Sequence, residues 1–356
     1  MSTFTLKKIG AAVKKNFVFY ILGLILNREK KNCTKMAKVL NGSHDSLYRF
    51  LTNHDLFIPL FPSFFIKMAN YFAQQKPGFL IIDDSAVSKI FAQCIERLAW
   101  VYNSSTGRPE RGLCIVVLAW SNEVVTIPLT FTWWFSKKVI EKEHYKTKIQ
   151  HACDLIDQIS GLVKFDYLLA DGLYFSKDIA SFLNKRSIKF LMRCASNRKI
   201  ATEDACCEQI KNHPAIRLKR NQHSKKVLAT YGNEKLYFIA QKRLNKNNEY
   251  ENVYFVSNID LPHSEYIKTY GGRWGIEPFF RTAKSYLGLS HCSVLSLEKQ
   301  ANHVFAVLFA YNFLQFEKAR LKLENPEQAL NDLRELKLMD LIRRLRSFNQ
   351  LFELFA

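Results

Sequence analysis

The sequence contains no Cys-x-x-Cys pair, although it has eight cysteines. The cysteines are scattered along the chain, and only Cys206 and Cys207 are neighbours. This spacing excludes a zinc knuckle and does not fit the disulfide framework of a secreted protein. We therefore expect reduced, mostly buried thiols in a cytoplasmic protein. Low-complexity tracts and internal repeats are also absent.

Long hydrophobic runs are missing as well. The stretch "FVFYILGLIL" (17–26) follows a basic segment and so resembles a signal peptide, but it is too short to span a bilayer. The residues that follow it, "NREKKN", offer no small-residue cleavage site. We interpret 17–26 as the buried part of a helix and expect no membrane partner. A role for residues 1–31 at a membrane surface is a minor alternative.

Acidic residues are scarce relative to basic ones. The chain has 52 Lys and Arg against 32 Asp and Glu, a net charge of +20 and a pI near 9.5. This excess favours a polyanionic partner, with nucleic acid as the first candidate and an anionic membrane as the second. The length of 356 residues suits one large domain or two to three smaller ones.

Hydrophobic patterning predicts an α/β protein. Residues 76–195 read as strand, hairpin, helix, strand, helix and strand, which predicts a mixed sheet flanked by helices. Residues 1–75 are predicted to be helical, and residues 196–260 to form a basic, mainly β insertion. After the insertion, residues 261–325 and 326–356 are predicted to be helical.

The N-terminal segment has the spacing of a helix-turn-helix. Two short helical stretches, 33–40 and 45–53, flank "NGSH", in which Asn41-Gly42 supplies a turn. Lys35, Lys38 and Arg49 could then meet phosphates. An ordinary helical hairpin with a solvated basic face is the alternative.

Two predicted strands end in aspartate, one at Asp83 and the other at Asp171. Functional residues of open sheets collect at strand ends, although aspartate is also common in turns there. With Glu277 these residues form a set of three carboxylates. Two Mg²⁺ ions about 3.5–4 Å apart would relieve the repulsion among them and clamp a phosphodiester. In a basic protein this set suggests phosphoryl transfer on nucleic acid.

Glu277 lies in the stretch "YGGRWGIEPFFRTAKSYLGL" (270–289). If 270–285 is one helix, Tyr270, Arg273, Glu277 and Lys284 fall within an arc of about 60°. Arg281 borders that arc. The face would present one carboxylate among groups that grip phosphate. Three glycines and Pro278 favour a second possibility, in which the helix begins near Ile276. An amphipathic helix with a simple Glu–Arg pair is a third.

These residues resemble a known family. The spacing Tyr270-x2-Arg273-x3-Glu277-x6-Lys284 is similar to the Y-(2)-R-(3)-E-(6)-K signature of the bacterial insertion-sequence transposases of family four. The sequence "DDS" at 83–85 is similar to the pattern of the first family acid and favours Asp83 over Asp84. The sequence "ADGLY" at 170–174 is similar to the pattern of the second.

The resemblance implies a DDE transposase with a ribonuclease-H-like catalytic core. Residues 76–195 and 261–325 would form this core, interrupted by the β-rich insertion, and residues 1–75 would bind DNA. Asp83, Asp171 and Glu277 would be catalytic and would hold two Mg²⁺ ions, or Mn²⁺. Double-stranded DNA, both transposon ends and target, would be the substrate of a homodimer in the bacterial cytoplasm, associated with the nucleoid.

The resemblance also implies roles for the basic and phenolic groups. Arg273 and Lys284 would hold phosphates, and Tyr270 would contact the DNA backbone. Two alternatives stay open: a metal-dependent nuclease that cuts without joining, and an inactive DNA-binding relative that acts as a repressor.

Overall fold

The protein is described by a computed structural model that covers residues 11–52, 60–203, 205–245 and 247–352. The basic residues at 1–10 and the end of the predicted helix 45–53 lie outside these ranges. The helices are α1 (Ala11–Leu26), α2 (Cys33–Val39), α3 (His44–Thr52), α4 (Leu60–Ala73), α5 (Lys148–Ile159), α6 (Lys177–Lys185), α7 (His263–Gly271), α8 (Ile276–Ser285), α9 (Leu297–Leu321), α10 (Pro326–Glu335) and α11 (Leu338–Leu351).

The centre of the fold is one mixed sheet of eleven strands in the described residues, flanked by helices. The strands are β1 (Phe79–Ser88), β2 (Ala99–Asn103), β3 (Arg108–Ser121), β4 (Thr126–Trp134), β5 (Tyr167–Ala170), β6 (Phe190–Cys194), β7 (Lys199–Thr202), β8 (Ala205–Gln209), β9 (Ser224–Tyr231), β10 (Glu234–Leu244) and β11 (Tyr250–Ser257). Their order is β2-β3-β1-β5-β6-β11-β10-β9-β7-β8, with β4 on β3. This architecture is consistent with a ribonuclease-H-like fold.

The middle of the sheet is mixed in direction because of how the chain crosses it. Strand β1 is antiparallel to β3 and parallel to β5, which is in turn parallel to β6. Helix α6 lies between β5 and β6 in the chain, as a parallel crossover requires. The carboxyl ends of β1 and β5 therefore point the same way.

Helix α9 is buried along most of its length and joins the two helical regions to the sheet. The hydroxyl of Tyr20 in α1 donates to Nδ1 of His303 in α9 over 2.8 Å, because Nε2 of His303 faces the carbonyl of Gly288 at 2.9 Å. Burial lowers the pKa of His303 to about 3, so the ring is neutral and can accept that bond. The N-terminal helices are thus connected through α9 to the loop at Gly288.

The predictions for two elements are confirmed. The apolar run 17–26 is buried in α1, and the predicted hairpin corresponds to β3 and β4.

Residues 196–260 contain strands β7 to β11. Strand β11 pairs with β6, so these strands extend the central sheet. Across the described residues, the helices are too short or too polar to cross a membrane.

Three predictions of element boundaries are wrong. Strand β1 does not stop at Asp83 but continues to Ser88, because β3 pairs with it along its whole length. Residues 270–285 are not one helix: a 3₁₀ turn at Gly272–Gly275 separates α7 from α8, as the possibility of a start near Ile276 required. The predicted C-terminal helix is interrupted between α10 and α11 at residues 336–337.

Candidate active site

Asp83 and Asp171 are neighbours across two parallel strands. The last register pair between β1 and β5 joins Ile82 to Ala170, and each aspartate is the next residue in its chain. Parallel strands lie about 4.8 Å apart, so the two side chains leave the sheet at adjacent points. One oxygen of Asp171 accepts the N–H of Leu173 at 2.8 Å, which fixes the turn that follows β5.

Arg273 connects the first aspartate to Glu277. Its Nη1 donates to Asp83 at 3.1 Å and its Nη2 donates to Glu277 at 3.3 Å. The Arg273 side chain is only 11% exposed, whereas that of Glu277 is 46% exposed. The 3₁₀ turn before α8 places this guanidinium, and the first turn of α8 places Glu277. Two acids that are 194 positions apart in the chain therefore face one cation.

Burial controls the electrostatics of the cluster. It raises the pKa of the Asp83 carboxyl to about 7, although Arg273 opposes the shift, and Asp171 and Asp84 add to it. Lys284 lies about two turns beyond Glu277 along α8. Burial lowers the pKa of its ammonium, although the negative charges of Glu277 and Asp83 act in the opposite direction. The site therefore concentrates negative charge that is only partly compensated.

Asp84 has a different environment from Asp83. Adjacent strand residues face opposite sides of a sheet, and Asp84 is turned toward α5. Lys148 donates to it at 2.5 Å and the Tyr174 hydroxyl donates at 3.0 Å. These partners occupy the Asp84 carboxylate with structural bonds, which agrees with the choice of Asp83 as the functional acid.

The chemistry of the donor set suits a hard divalent cation. Asp83, Asp171 and Glu277 offer only carboxylate oxygens, which Mg²⁺ and Mn²⁺ prefer. The neighbouring Asp171 adds to the cost of ionising Asp83, a cost that a cation offsets. Within the described part of the chain, no three Asp, Glu, His or Cys side chains are grouped closely enough to hold a metal ion. The Arg273 guanidinium lies between two of the candidate ligands.

A basic and aromatic cavity of about 350 Å³ adjoins Arg273. Its lining includes Trp274 from the 3₁₀ turn and three cations that the sequence did not single out, Arg193, Lys242 and Arg243. Arg193 is exposed in the otherwise buried strand β6. The sequence signal for Arg193 is that it is a charged residue within an apolar strand.

Tyr270 also lines this cavity but is buried. Its ring packs edge-on against Phe255, with centroids 5.0 Å apart, and its hydroxyl has no hydrogen-bond partner. Burial raises the pKa of Tyr270 to about 12, so the phenol is neutral. The hydroxyl is itself buried, and the Arg273 guanidinium lies 5.9 Å from the ring centre.

The remaining predicted DNA contacts lie at the surface. Arg281 pairs with Glu327 of α10 at 3.3 Å. In the N-terminal helices, Lys35 pairs with Glu29 at 2.5 Å, while Lys38 and Arg49 are exposed. Helices α2 and α3 pack against each other, which fits both a helix-turn-helix and an ordinary helical hairpin.

A family model described as "DDE superfamily endonuclease" matches residues 6–230 of the chain. The matched region includes Asp83 and Asp171 and ends before Glu277. No curated protein matches the sequence.

Proposed function

The chain belongs to the DDE superfamily endonucleases, and we propose that it is a DNA transposase of the insertion-sequence group with the Y-(2)-R-(3)-E-(6)-K signature. One observation carries the proposal: Arg273 joins Asp83 to Glu277 while Asp171 stands beside Asp83 in the strand register. These contacts support the proposal because they connect Asp83, Arg273 and Glu277 and put Asp171 next to Asp83.

Asp83, Asp171 and Glu277 are the catalytic acids in this proposal and hold two Mg²⁺ or Mn²⁺ ions. Such a pair, when bound, supplies Lewis-acid stabilisation to the attacking and leaving oxygens of a phosphodiester. Strand β1 holds Asp83 and the turn after β5 holds Asp171, while Glu277 is more exposed and lies on a separate helix. This division makes Glu277 the ligand that adjusts to the substrate.

The cations of the cluster position the DNA. Arg273 exchanges one carboxylate for a phosphate oxygen, which its forked guanidinium matches in geometry. Lys284 supports the same strand from the last turn of α8. Arg193, Lys242 and Arg243 extend this surface along the cavity, and Tyr270 donates to the backbone that enters it.

The other segments supply the remaining functions of a transposase. Residues 1–75 bind the transposon ends through Lys35, Lys38 and Arg49, and Arg281 contributes from α8. Residues 76–195 with 261–325 form the catalytic core, and 196–260 the insertion. Residues 326–356 support a homodimer that holds two ends together on double-stranded DNA.

A nuclease that cuts without joining is the second candidate, favoured by the family description, which names an endonuclease. The two functions differ in the fate of the 3′-hydroxyl end. The test is a plasmid that carries the DNA flanking the gene, incubated with Mg²⁺ and a separate target plasmid. Joined products with the wild type, and end binding without cutting by Asp171→Ala, are expected. Cut but unjoined ends would establish the nuclease, and wild-type binding without cutting would establish the repressor.

A further inference from the structure

Strands β2 and β3 form a hairpin, residues 99–112, that extends beyond the end of β1. Val101 and Asn103 point inward, whereas Trp100 and Tyr102 are 69% and 67% exposed. Opposite them on β3 are Arg111 and Pro109. We call the outward surface formed by Trp100, Tyr102, Pro109 and Arg111 the hairpin face.

The hairpin is rigid although its outer aromatic rings contribute little to the core. Glu110, on its inner side, accepts bonds from Ser88 at 2.7 Å, Asn103 at 2.9 Å and Thr106 at 2.8 Å. These bonds lower the pKa of Glu110 to about 2, so its charge is kept inside the hairpin. The outer face consequently shows Trp100, Tyr102 and Arg111, while Glu110 pairs with Arg108 at the turn at 3.7 Å.

The hairpin face lies on the same side of the sheet as Asp83. Side chains alternate along a strand, and Asp83 is in register with Val117 of β3. Counting from Val117 in steps of two leads to Arg111, with no shift of register on the way. Six residues of strand cover about 20 Å, which matches about six nucleotide steps of a stacked DNA strand.

We propose that the hairpin face binds the DNA strand that runs away from the cut, through bases that are not paired. Flat exposed rings stack on base faces, which a closed duplex hides. Arg111 then contacts a phosphate, in accord with the net charge of +20. The inference rests on DNA being the substrate, as proposed above.

The test is fluorescence anisotropy in EDTA, which stops cleavage, with two labelled DNAs: a fully paired duplex and a duplex with an unpaired six-base arm. We expect the double variant Trp100→Ala/Tyr102→Ala to bind the forked DNA about tenfold more weakly and the paired duplex within twofold of wild type. Trp100→Phe, which keeps a ring, should stay within about twofold on both. Tyr250→Ala, an exposed tyrosine on β11, is the matched control.

Equal affinity of the double variant and wild type for forked DNA would overturn the proposal. So would a change from oligomer to monomer at unchanged DNA affinity, since the hairpin face would then be a contact between copies. Wild type that binds neither DNA would refute both this proposal and the transposase assignment. A variant that no longer binds the forked DNA but still nicks a paired plasmid would show that the hairpin face and the cleavage activity can be tested separately.

Discussion

Asp83 and Asp84 are adjacent in the chain but have different partners in the structure. The sequence favours Asp83 only through a resemblance, whereas the structure separates the two by their partners. The position of Arg273 could not be predicted in the same way. On one continuous helix, Arg273 would face DNA together with Glu277. In the structure, the 3₁₀ turn places Arg273 between Asp83 and Glu277. The glycines and Pro278 indicate the break in the helix, but the contacts of the turn with Phe79 of β1 and Leu169 of β5 depend on the fold.

The burial of Lys89 leads to a prediction about how the free energy of unfolding depends on pH. Its ammonium donates to the carbonyls of Ser290 and Cys292, and burial lowers its pKa from 10.5 to about 8. A lowered folded pKa means that the unfolded chain binds more protons between pH 8 and 10.5. The contribution of Lys89 to the free energy of unfolding therefore rises with pH in this window and is lost as pH falls through 8.

Urea unfolding at pH 7.5 and 9.5 measures this contribution. The change in unfolding free energy between the two pH values should be smaller in Lys89→Met than in wild type, by on the order of 1–2 kcal/mol. Lys337→Met, at an exposed lysine, should leave the pH dependence as it is in wild type. If the free energy of unfolding changed equally between the two pH values in Lys89→Met and wild type, the proposed effect of Lys89 burial would be refuted.

At the scale of elements, the strands and helices of the core were largely predictable because their hydrophobic periods are clear. Strand β2 was not predicted, since its alternating Trp100 and Tyr102 face outward and its inner residues are few. The extension of β1 through Asp84 and Ser85 was also missed, because acidic and polar residues usually indicate a turn. Pairing with β3 overrides that local preference.

The 3₁₀ turn allows a prediction with a built-in control. A Cβ at Gly272 would lie 2.6 Å from the Phe79 ring, whereas a Cβ at Gly271 would meet nothing within 4 Å. Gly272→Ala should therefore displace the turn, lower the free energy of unfolding by about 1–3 kcal/mol and reduce cleavage. Gly271→Ala should be close to wild type in thermal melting and plasmid nicking. Equal behaviour of the two variants would contradict the proposed packing of the turn.

For the whole molecule, the excess of positive charge is spread over several segments rather than held in one patch. The exposed Lys38 and Arg49 lie on the N-terminal helices, and Arg193, Lys242 and Arg243 lie beside the acids. The sequence indicated the partner class from net charge alone. It could not indicate that strands of the insertion join the central sheet and bring their cations to Arg273, because that depends on the pairing of β11 with β6.

The salt dependence of DNA binding measures these contacts. Each phosphate contact that is lost lowers the slope of log affinity against log salt by about one. Lys38→Gln and Arg49→Gln should each reduce the slope by about this amount on duplex DNA, and Lys337→Gln should not. Unchanged slopes for both N-terminal variants would remove helices α2 and α3 from the DNA interface.

The central claim is that Asp83, Asp171 and Glu277 together hold divalent ions, and Mn²⁺ binding followed by electron paramagnetic resonance tests it most directly. Wild type with a duplex that carries a 3′-hydroxyl end should bind two Mn²⁺ ions. Asp83→Asn, Asp171→Asn and Glu277→Gln should each bind fewer, with folding unchanged by circular dichroism. Glu335→Gln, at an exposed glutamate that pairs with Arg28, should bind like wild type. Wild-type Mn²⁺ binding in all three acid variants would contradict the account.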